Sequence, residues 1–381
     1  MRNIGLCIVY NHKNYGSILQ SLATVRAVQK LDCEPKIIRY RKSSSFFLKS
    51  IPRLFNHILL KEKYTRWQKK ASLLLHKKIK QCNEIRNKCF DTFCNNKFNN
   101  YLSPIYNGYK ELCEYSSNYS KVLSGSDQLW SPSGLPTNFY NLMFVPSYIP
   151  KISYASSFGV SKIPFYQKNR TAEYLNRIEY ISVRELAGQK IIKELTGKEI
   201  PLVCDPTLLL TKEEWEQEIP KKSFFEKPYI LAYLLGANKE HRNAVNELKE
   251  KTKLPIVALR HLDQYVPSDE SFGDFAPYNV GPNEFVNLIR FADFVCTDSF
   301  HGTVFSCLHS KQFSTFYRYS SKEIVSKNSR IDSLLKKLCL EDRIYSGNIM
   351  DIQKTVNWSL VEEKIGEFRS FSFEFLREAL K

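Results

Sequence analysis

The sequence predicts an α/β protein built as two lobes with parallel sheets and a cleft between them. Short apolar runs alternate with helical patterns of 10 to 15 residues along most of the chain, the rhythm of strand–helix–strand units. Two strand-to-helix junctions, one near each end, carry polar residues and a glycine. The 381 residues exceed one typical α/β domain and suit two of roughly 150 to 200 each. The division expected is 1–205 for the first lobe, with a basic helical insert at about 42–100, and 206–381 for the second.

In order, Ile4 to Tyr10 reads as the first strand, giving way to Asn11-His12-Lys13-Asn14-Tyr15-Gly16-Ser17 and a helix over Ile18 to Leu31. Lys36 to Tyr40 is a second strand. After the insert, Lys121 to Ser124 runs into Gly125-Ser126-Asp127-Gln128-Leu129-Trp130, and Ile152 to Ala155 into Ser156 to Val160. Tyr180 to Val183 ends at Arg184-Glu185, with a helix from Leu186 to Thr196, and Leu202 to Cys204 ends at Asp205-Pro206. That proline and the charged stretch Lys212 to Lys227 mark a domain joint. Strand Tyr229 to Leu235, helix Lys239 to Thr252, strand Pro255 to Leu259 ending at Arg260-His261, and helix Pro282 to Ala292 then repeat the rhythm. The apolar stretch Phe291 to Cys296 leads as a strand into Asp298-Ser299-Phe300-His301-Gly302, and Val304 to Leu308 continues as a helix.

Charge is unevenly spread. Between Arg39 and Lys88 there are 15 Lys and Arg against Glu62 and Glu84, which is +13 of the net +17. From Phe47 to Leu60 apolar residues recur at spacings of three and four, as on a helix with one apolar face. Such a basic amphipathic segment suits an anionic membrane surface or a solvated helical hairpin packed on the first lobe. Nucleic acid is not the expected partner, because no zinc-finger, helix-turn-helix or ribonucleoprotein signature accompanies the charge.

The longest strongly apolar run, Tyr229 to Ala237, falls far short of the roughly 18 residues of a spanning helix. The amino terminus lacks a cleavage-site pattern, so a cytoplasmic protein is expected, with peripheral attachment to the inner membrane face as an option. Ten cysteines form no C-x-x-C pair and read as reduced thiols. Neither a metal nor a cofactor is called for.

Candidate functional residues are those that follow strands or open helices, where α/β folds collect function: Asn14, Tyr15, Gly16, Ser126, Asp127, Gln128, Arg184, Glu185, Arg260, His261, Asp298, Ser299, His301, Gly302 and Arg318. His301 suits proton transfer near neutral pH. Arg184, Arg260 and Arg318 offer planar forks for phosphate or carboxylate, and helix amino termini favour anions. The inventory suits a small anionic substrate carrying phosphate. The sequence lacks G-x-x-x-x-G-K-[ST], G-x-G-x-x-G, H-E-x-x-H and G-x-S-x-G, so it gives no support to phosphate-loop hydrolysis, a standard dinucleotide site, zinc proteolysis or serine hydrolysis.

Asn14 to Gln20, Gly125 to Trp130, Ser182 to Glu185, Cys204 to Thr207 and Asp298 to Phe305 together resemble the polysaccharide pyruvyl transferase family, over roughly residues 4–320 without the insert. The resemblance implies two Rossmann-like lobes similar to the GT-B glycosyltransferases, with phosphoenolpyruvate between them and a sugar acceptor, commonly lipid-linked, receiving a pyruvate ketal. It implies that Arg184 serves the donor and that His301 is the motif histidine. Asp127, Asp298 or Glu185 would take protons from the sugar hydroxyls, and Asn14, Tyr15, Gly16, Ser126, Ser299 and Gly302 would bind substrate. One departure stands out: family members often carry Arg-Leu-His where this chain has Ser299-Phe300-His301, so Arg260 or Arg318 is expected to supply the missing cation. A GT-B-type nucleotide-sugar glycosyltransferase and a non-catalytic membrane-binding protein are the alternatives.

Overall fold

The structure, a computed structural model, describes residues 2–42, 57–134, 138–318 and 328–381, with backbone alone for 57–59, 61, 62 and 66. The first sheet holds β1 (Arg2–Cys7), β2 (Cys33–Arg41), β3 (Leu102–Asn107), β4 (Lys121–Ser124), β5 (Lys151–Ser156) and β6 (Tyr180–Val183). Its order is β3-β2-β1-β4-β5-β6, with every pair parallel. The second holds β7 (Ile230–Tyr233), β8 (Ile256–Ala258), β9 (Phe294–Thr297) and β10 (Gln312–Thr315) in the parallel order β10-β9-β7-β8. Strands such as β5, buried at all six positions, need cover on both faces, which parallel sheets obtain from helices.

Each sheet reverses its strand order once, between β1 and β4 in the first and between β7 and β9 in the second. Crevices beyond the carboxyl ends of strands at such switch points are where α/β proteins bind ligands. The expected junctions after β1, β4 and β9 therefore converge on the interlobe space. Helix α1 (Tyr15–Gln29), buried at 13 of its 15 positions, is an interior helix whose polar Ser17, Gln20, Ser21 and Thr24 are buried with its apolar residues. It packs against α9 (Pro282–Phe291) and α10 (Phe300–Leu308) of the second lobe.

The expected helix from Phe47 lies, up to residue 56, outside the described residues. Beyond them α2 (His57–Leu75) and α3 (Lys77–Phe98) form a hairpin that touches both lobes, where the sequence suggested packing on the first alone. Phe90, Phe93 and Phe98 enter the core. Asn83 donates to the Leu262 carbonyl (2.8 Å) and Arg86 pairs with Asp263. His76 stacks on Tyr265 at 3.7 Å, and Ser72 Oγ accepts the Tyr265 N–H at 2.9 Å. Among the described residues no helix is long and apolar enough to cross a membrane, and all ten cysteines are free thiols.

Several elements escaped the sequence reading. Strands β3 and β10 are edge strands, short or carrying Pro104, where a missing ladder donor is tolerated. Helices α4 (Gly108–Ser116), α5 (Lys168–Asn176), α11 (Ser329–Leu338) and α12 (Trp358–Leu380) sit in stretches given no element from the sequence, and α7 (Lys212–Glu218) lies in the charged joint. By contrast, the expected strand Leu202 to Cys204 forms only a single bridge, Val183 to Leu202. The last helix returns to the first lobe: Ser372 Oγ accepts the Cys204 N–H at 2.8 Å, and Lys121 Nζ donates to the Ala379 carbonyl at 2.9 Å. Helix α6 is the expected Leu186–Thr196, and α8 is Lys239–Thr252.

Candidate active site between the lobes

At the first junction Asn14 caps α1, its Oδ1 accepting the Ser17 N–H at 3.1 Å, the usual role of Asn before a first turn. Ser17 Oγ in turn donates to Asp127 Oδ2 at 2.5 Å. Asp127 has φ +90, a left-handed conformation uncommon outside Gly, Asn and Asp. It is held there by a bridge to Ser156 and by the Gln128 N–H at 2.8 Å to Oδ1. Gly16 is required by what lies on it: a Cβ there would stand 1.9 Å from His301 Nδ1. The second lobe's histidine thus rests on the first turn of the first lobe's α1. Tyr15, expected to meet substrate, instead holds the lobes together. It is buried, its hydroxyl donates to the Val280 carbonyl at 2.9 Å, and its ring stacks on Phe285 at 4.6 Å.

Behind the cleft wall stands a buried charge cluster. Arg184, at the end of β6, has a side chain 1% exposed. Its Nη1 donates to Asp205 Oδ2 (2.5 Å) and to Ser126 Oγ (3.0 Å), and Ser126 Oγ donates to the same Asp205 oxygen at 3.2 Å. Asp127 lies 3.6 Å and Glu185 3.8 Å from the same guanidinium. Among the described residues Nε and Nη2 of Arg184 have no hydrogen-bond partner. His301 Nε2 is 3.6 Å from Asp205 Oδ2 and also lacks a hydrogen-bond partner among the described residues.

Burial pushes the Asp205 carboxyl up, but the neighbouring His301 and Arg184 pull it well below the usual carboxylate range. Asp127 shows the same balance, burial opposed by Arg184, and ends low. For Glu185 burial prevails over Arg184 and its pKa is raised. These are the desolvation and charge effects expected of a cluster with more acids than bases around one guanidinium. Asp205 was read from sequence only as a strand end, although it stands in the Cys204 to Thr207 motif.

In the second lobe Asp298 is fully buried and its carboxylate is occupied. Oδ1 accepts the Leu235 N–H (2.8 Å) and Arg318 Nη2 (2.9 Å), and Oδ2 accepts the Gly236 N–H (2.7 Å). It braces the ends of β7 and β9. Ser299 caps α10 by accepting the Gly302 N–H at 3.3 Å. Gly302 lets that helix close on β9, since a Cβ would lie 2.5 Å from Thr297 Oγ1. Arg260, the first candidate for the missing cation, turns away and donates to the carbonyls of Phe272 (3.0 Å) and Glu270 (3.4 Å). His261 faces Lys69 and Asp263 at the insert.

The lobes enclose a cleft of about 590 Å³ lined by Asn14, Ser17, Asp127 and Gln128 on one side and Ser299, Phe300, His301, Arg318 and Arg330 on the other. Arg318 therefore reaches the cleft and Arg260 does not line it. Arg330, on α11, was missed altogether. No motif surrounds it in sequence, and only folding brings it beside Phe300.

The family model for polysaccharide pyruvyl transferases matches residues 14–321. The chain belongs to this family. The match in this pyruvyl transferase family member includes both junctions, Arg184, Asp205, His301 and Arg318, and stops before Arg330. No curated protein matches the sequence significantly. Among solved structures, UDP-GlcNAc 2-epimerase from Neisseria meningitidis is similar at 11% identity and TM-score 0.48, covering 100% of this chain and 99% of that one. MurG of Acinetobacter baumannii gives 12% and 0.44 over 99% of both chains. The glycosyltransferase SnogD from Streptomyces nogalater gives 7% and 0.42 over 98% and 95%.

Proposed function

We propose that the protein transfers the pyruvyl group of phosphoenolpyruvate to a sugar of a surface polysaccharide, or of its lipid-linked precursor, as a ketal across two hydroxyls. The observation that carries this reading is the Arg184–Asp205–His301 cluster at a cleft shared by both lobes of a family member. Phosphoenolpyruvate bears about three negative charges, so its site needs fixed cations and helix-terminal amides. Arg318 and the amino terminus of α10 line the cleft, and Arg184 stands buried behind its wall.

In the proposed reaction His301 delivers a proton to the methylene carbon, generating a cation at C2. One sugar hydroxyl attacks C2 and gives up its proton, the C–O bond to phosphate breaks, and the second hydroxyl closes the ketal. One hydroxyl proton restores His301 and the other leaves with phosphate, so protons balance. Of the three carboxylates considered, Asp127 alone lines the cleft, which favours it as proton acceptor over the occupied Asp298 and the buried Glu185. Each well-placed proton transfer contributes roughly 10²- to 10⁴-fold.

The test is phosphate release from phosphoenolpyruvate with candidate lipid-linked oligosaccharides. His301→Ala, and Arg184→Ala if it folds, should lower turnover at least about 100-fold. Near-normal transfer by the folded variants would reject the site. Binding of a nucleoside diphosphate with no response to phosphoenolpyruvate would instead favour a nucleotide-sugar glycosyltransferase.

The insert is proposed to dock the enzyme on the anionic inner face of the membrane. Supporting this, α2 exposes Tyr64, Trp67, Leu74 and Leu75, with Trp67 63% and Leu75 80% accessible, among the exposed Lys63, Lys70, Lys77 and Lys78. Each such cation near an anionic surface contributes on the order of 1 kcal/mol. Vesicle binding should need anionic lipid and weaken in high salt; equal binding to neutral vesicles would reject docking.

A further inference from the structure

The cations in the cleft and behind its wall differ in one respect: whether an acid already neutralises them. Arg318 is paired with Asp298, and Arg184 stands within 4 Å of three carboxylates. Among the described residues Arg330 forms no ion pair, and its Nε has no hydrogen-bond partner. It nonetheless lines the cleft with His301 and Ser299. Its guanidinium carbon lies 5.5 Å from the Phe300 ring centroid, and that of Arg184 lies 5.0 Å from the same ring. Two guanidinium groups are therefore gathered about one aromatic side chain, next in sequence to His301.

This arrangement is costly as it stands. Burial, and after it the Arg184 charge, bring the Arg330 pKa down to about 10, with Glu185 and Asp127 offsetting only part. An unpaired cation in a half-buried site is tolerated where an anion completes it. Two residues before His301 the chain carries Ser299, an uncharged residue that caps α10.

We infer that Arg330 ligates the anionic group of the donor, phosphate or carboxylate. The identity of the donor rests on the reading above; the anion site does not. Arg330 reaches the cleft from α11 rather than from the turn before α10, so the charge is kept while Ser299 is left free to cap the helix.

Calorimetric titration of the full chain with phosphoenolpyruvate, inorganic phosphate and pyruvate tests this. Arg330→Met should weaken phosphoenolpyruvate about 10- to 100-fold, the range for losing a hydrogen bond to a charged group, with Arg330→Lys in between. Loss toward phosphate but not pyruvate assigns the phosphate, and the reverse assigns the carboxylate. In turnover, Arg330→Met should raise KM for the donor and leave KM for the acceptor unchanged, which a merely structural role would not do. Adding Ser299→Arg to Arg330→Met should recover part of the donor affinity. Unchanged affinity for all three anions in a folded Arg330→Met, or no binding of any by the parent protein, overturns the inference. Phosphate binding that depends on Arg330 without turnover of phosphoenolpyruvate would reject the transfer reaction and keep the anion site.

Discussion

At residues 14–17 a side-chain oxygen of Asn14 accepts the N–H three residues on, with Gly16 in the first turn; at 299–302 Ser299 does the same for Gly302. The two glycines face different neighbours. Gly302 lies against Thr297 of its own lobe, whereas Gly16 lies against the imidazole of His301 from the other lobe. The same cap-and-glycine pattern thus stitches a helix to a strand in one lobe and makes room for a foreign side chain in the other. Only the second use creates a site that exists when the lobes are together.

Alanine at each glycine separates the two roles, with the largest effect on activity at Gly16. The new Cβ must displace the His301 ring, so Gly16→Ala should cut phosphate release at least about 100-fold in the protein that remains folded, as for a lost proton donor, beside the overpacking cost of a buried contact. Gly302→Ala should act on stability, by about 1 to 3 kcal/mol for overpacking a buried contact, read by urea denaturation. Equal losses of activity and stability in the two variants would dissolve the distinction.

The carboxylates extend the contrast. Asp298→Asn breaks the brace that holds Arg318 and two backbone amides, and removal of one partner from a buried pair costs about 3 to 5 kcal/mol. Asp127→Asn retains the hydrogen bond from Ser17 in shape and should mainly slow turnover, by about 100-fold or more. Thermal melts beside phosphate release distinguish them; a stable Asp298→Asn with low turnover would return Asp298 to the proton-transfer step.

What the sequence disclosed follows from where each residue's role is decided. Asn14, Ser299 and the glycines were legible as positions at strand-to-helix junctions, which a few neighbouring residues mark, whereas the capping by Asn14 and Ser299 was not read. The parallel sheets were legible because their strands are continuous apolar runs. Tyr15 misled because its neighbours face the cleft while its own position on α1 points into the lobe interface. Arg260 follows the same strand-end rule as Arg184, yet its partners are carbonyls at 270 and 272, a loop conformation that no spacing reveals. Arg330 lies on an amphipathic helix of ordinary composition, and only the packing of α11 beside Phe300 distinguishes it from a surface cation.

The seam between insert and second lobe carries a pH-dependent effect of intermediate size. Burial, ahead of the opposing Asp263 charge, brings the His261 pKa down to about 4, below the ordinary value near 6.5. A depressed folded pKa means that stability is intact above about 6.5 and is lost as pH falls toward 4, because the unfolded chain takes up the proton first. Between pH 7 and 5 the loss from this group should be on the order of 1 to 2 kcal/mol. His261→Gln should flatten that part of the stability profile. An unchanged slope would mean that the imidazole is not buried against Lys69 and the insert.

The smallest expected effect concerns Glu185, where burial and the Arg184 charge oppose each other at 3.8 Å. Burial prevails and the pKa is raised, the opposite of Asp205 and Asp127 on the same guanidinium. The reason is sharing: Arg184 already serves two closer carboxylates, one of them hydrogen-bonded at 2.5 Å, and little of its field remains uncompensated for a third acid. A raised folded pKa gives stability that is fully present below the ordinary glutamate value of about 4.3 and is lost as pH rises through the folded value. Glu185→Gln removes that penalty while keeping an oxygen for the neighbouring donors. The stability of the parent protein relative to Glu185→Gln should therefore decline from pH 4 to pH 7. A relative stability that climbs with pH over that range would show that Arg184 attracts Glu185 as strongly as it does Asp205, and that the cluster holds three full anions.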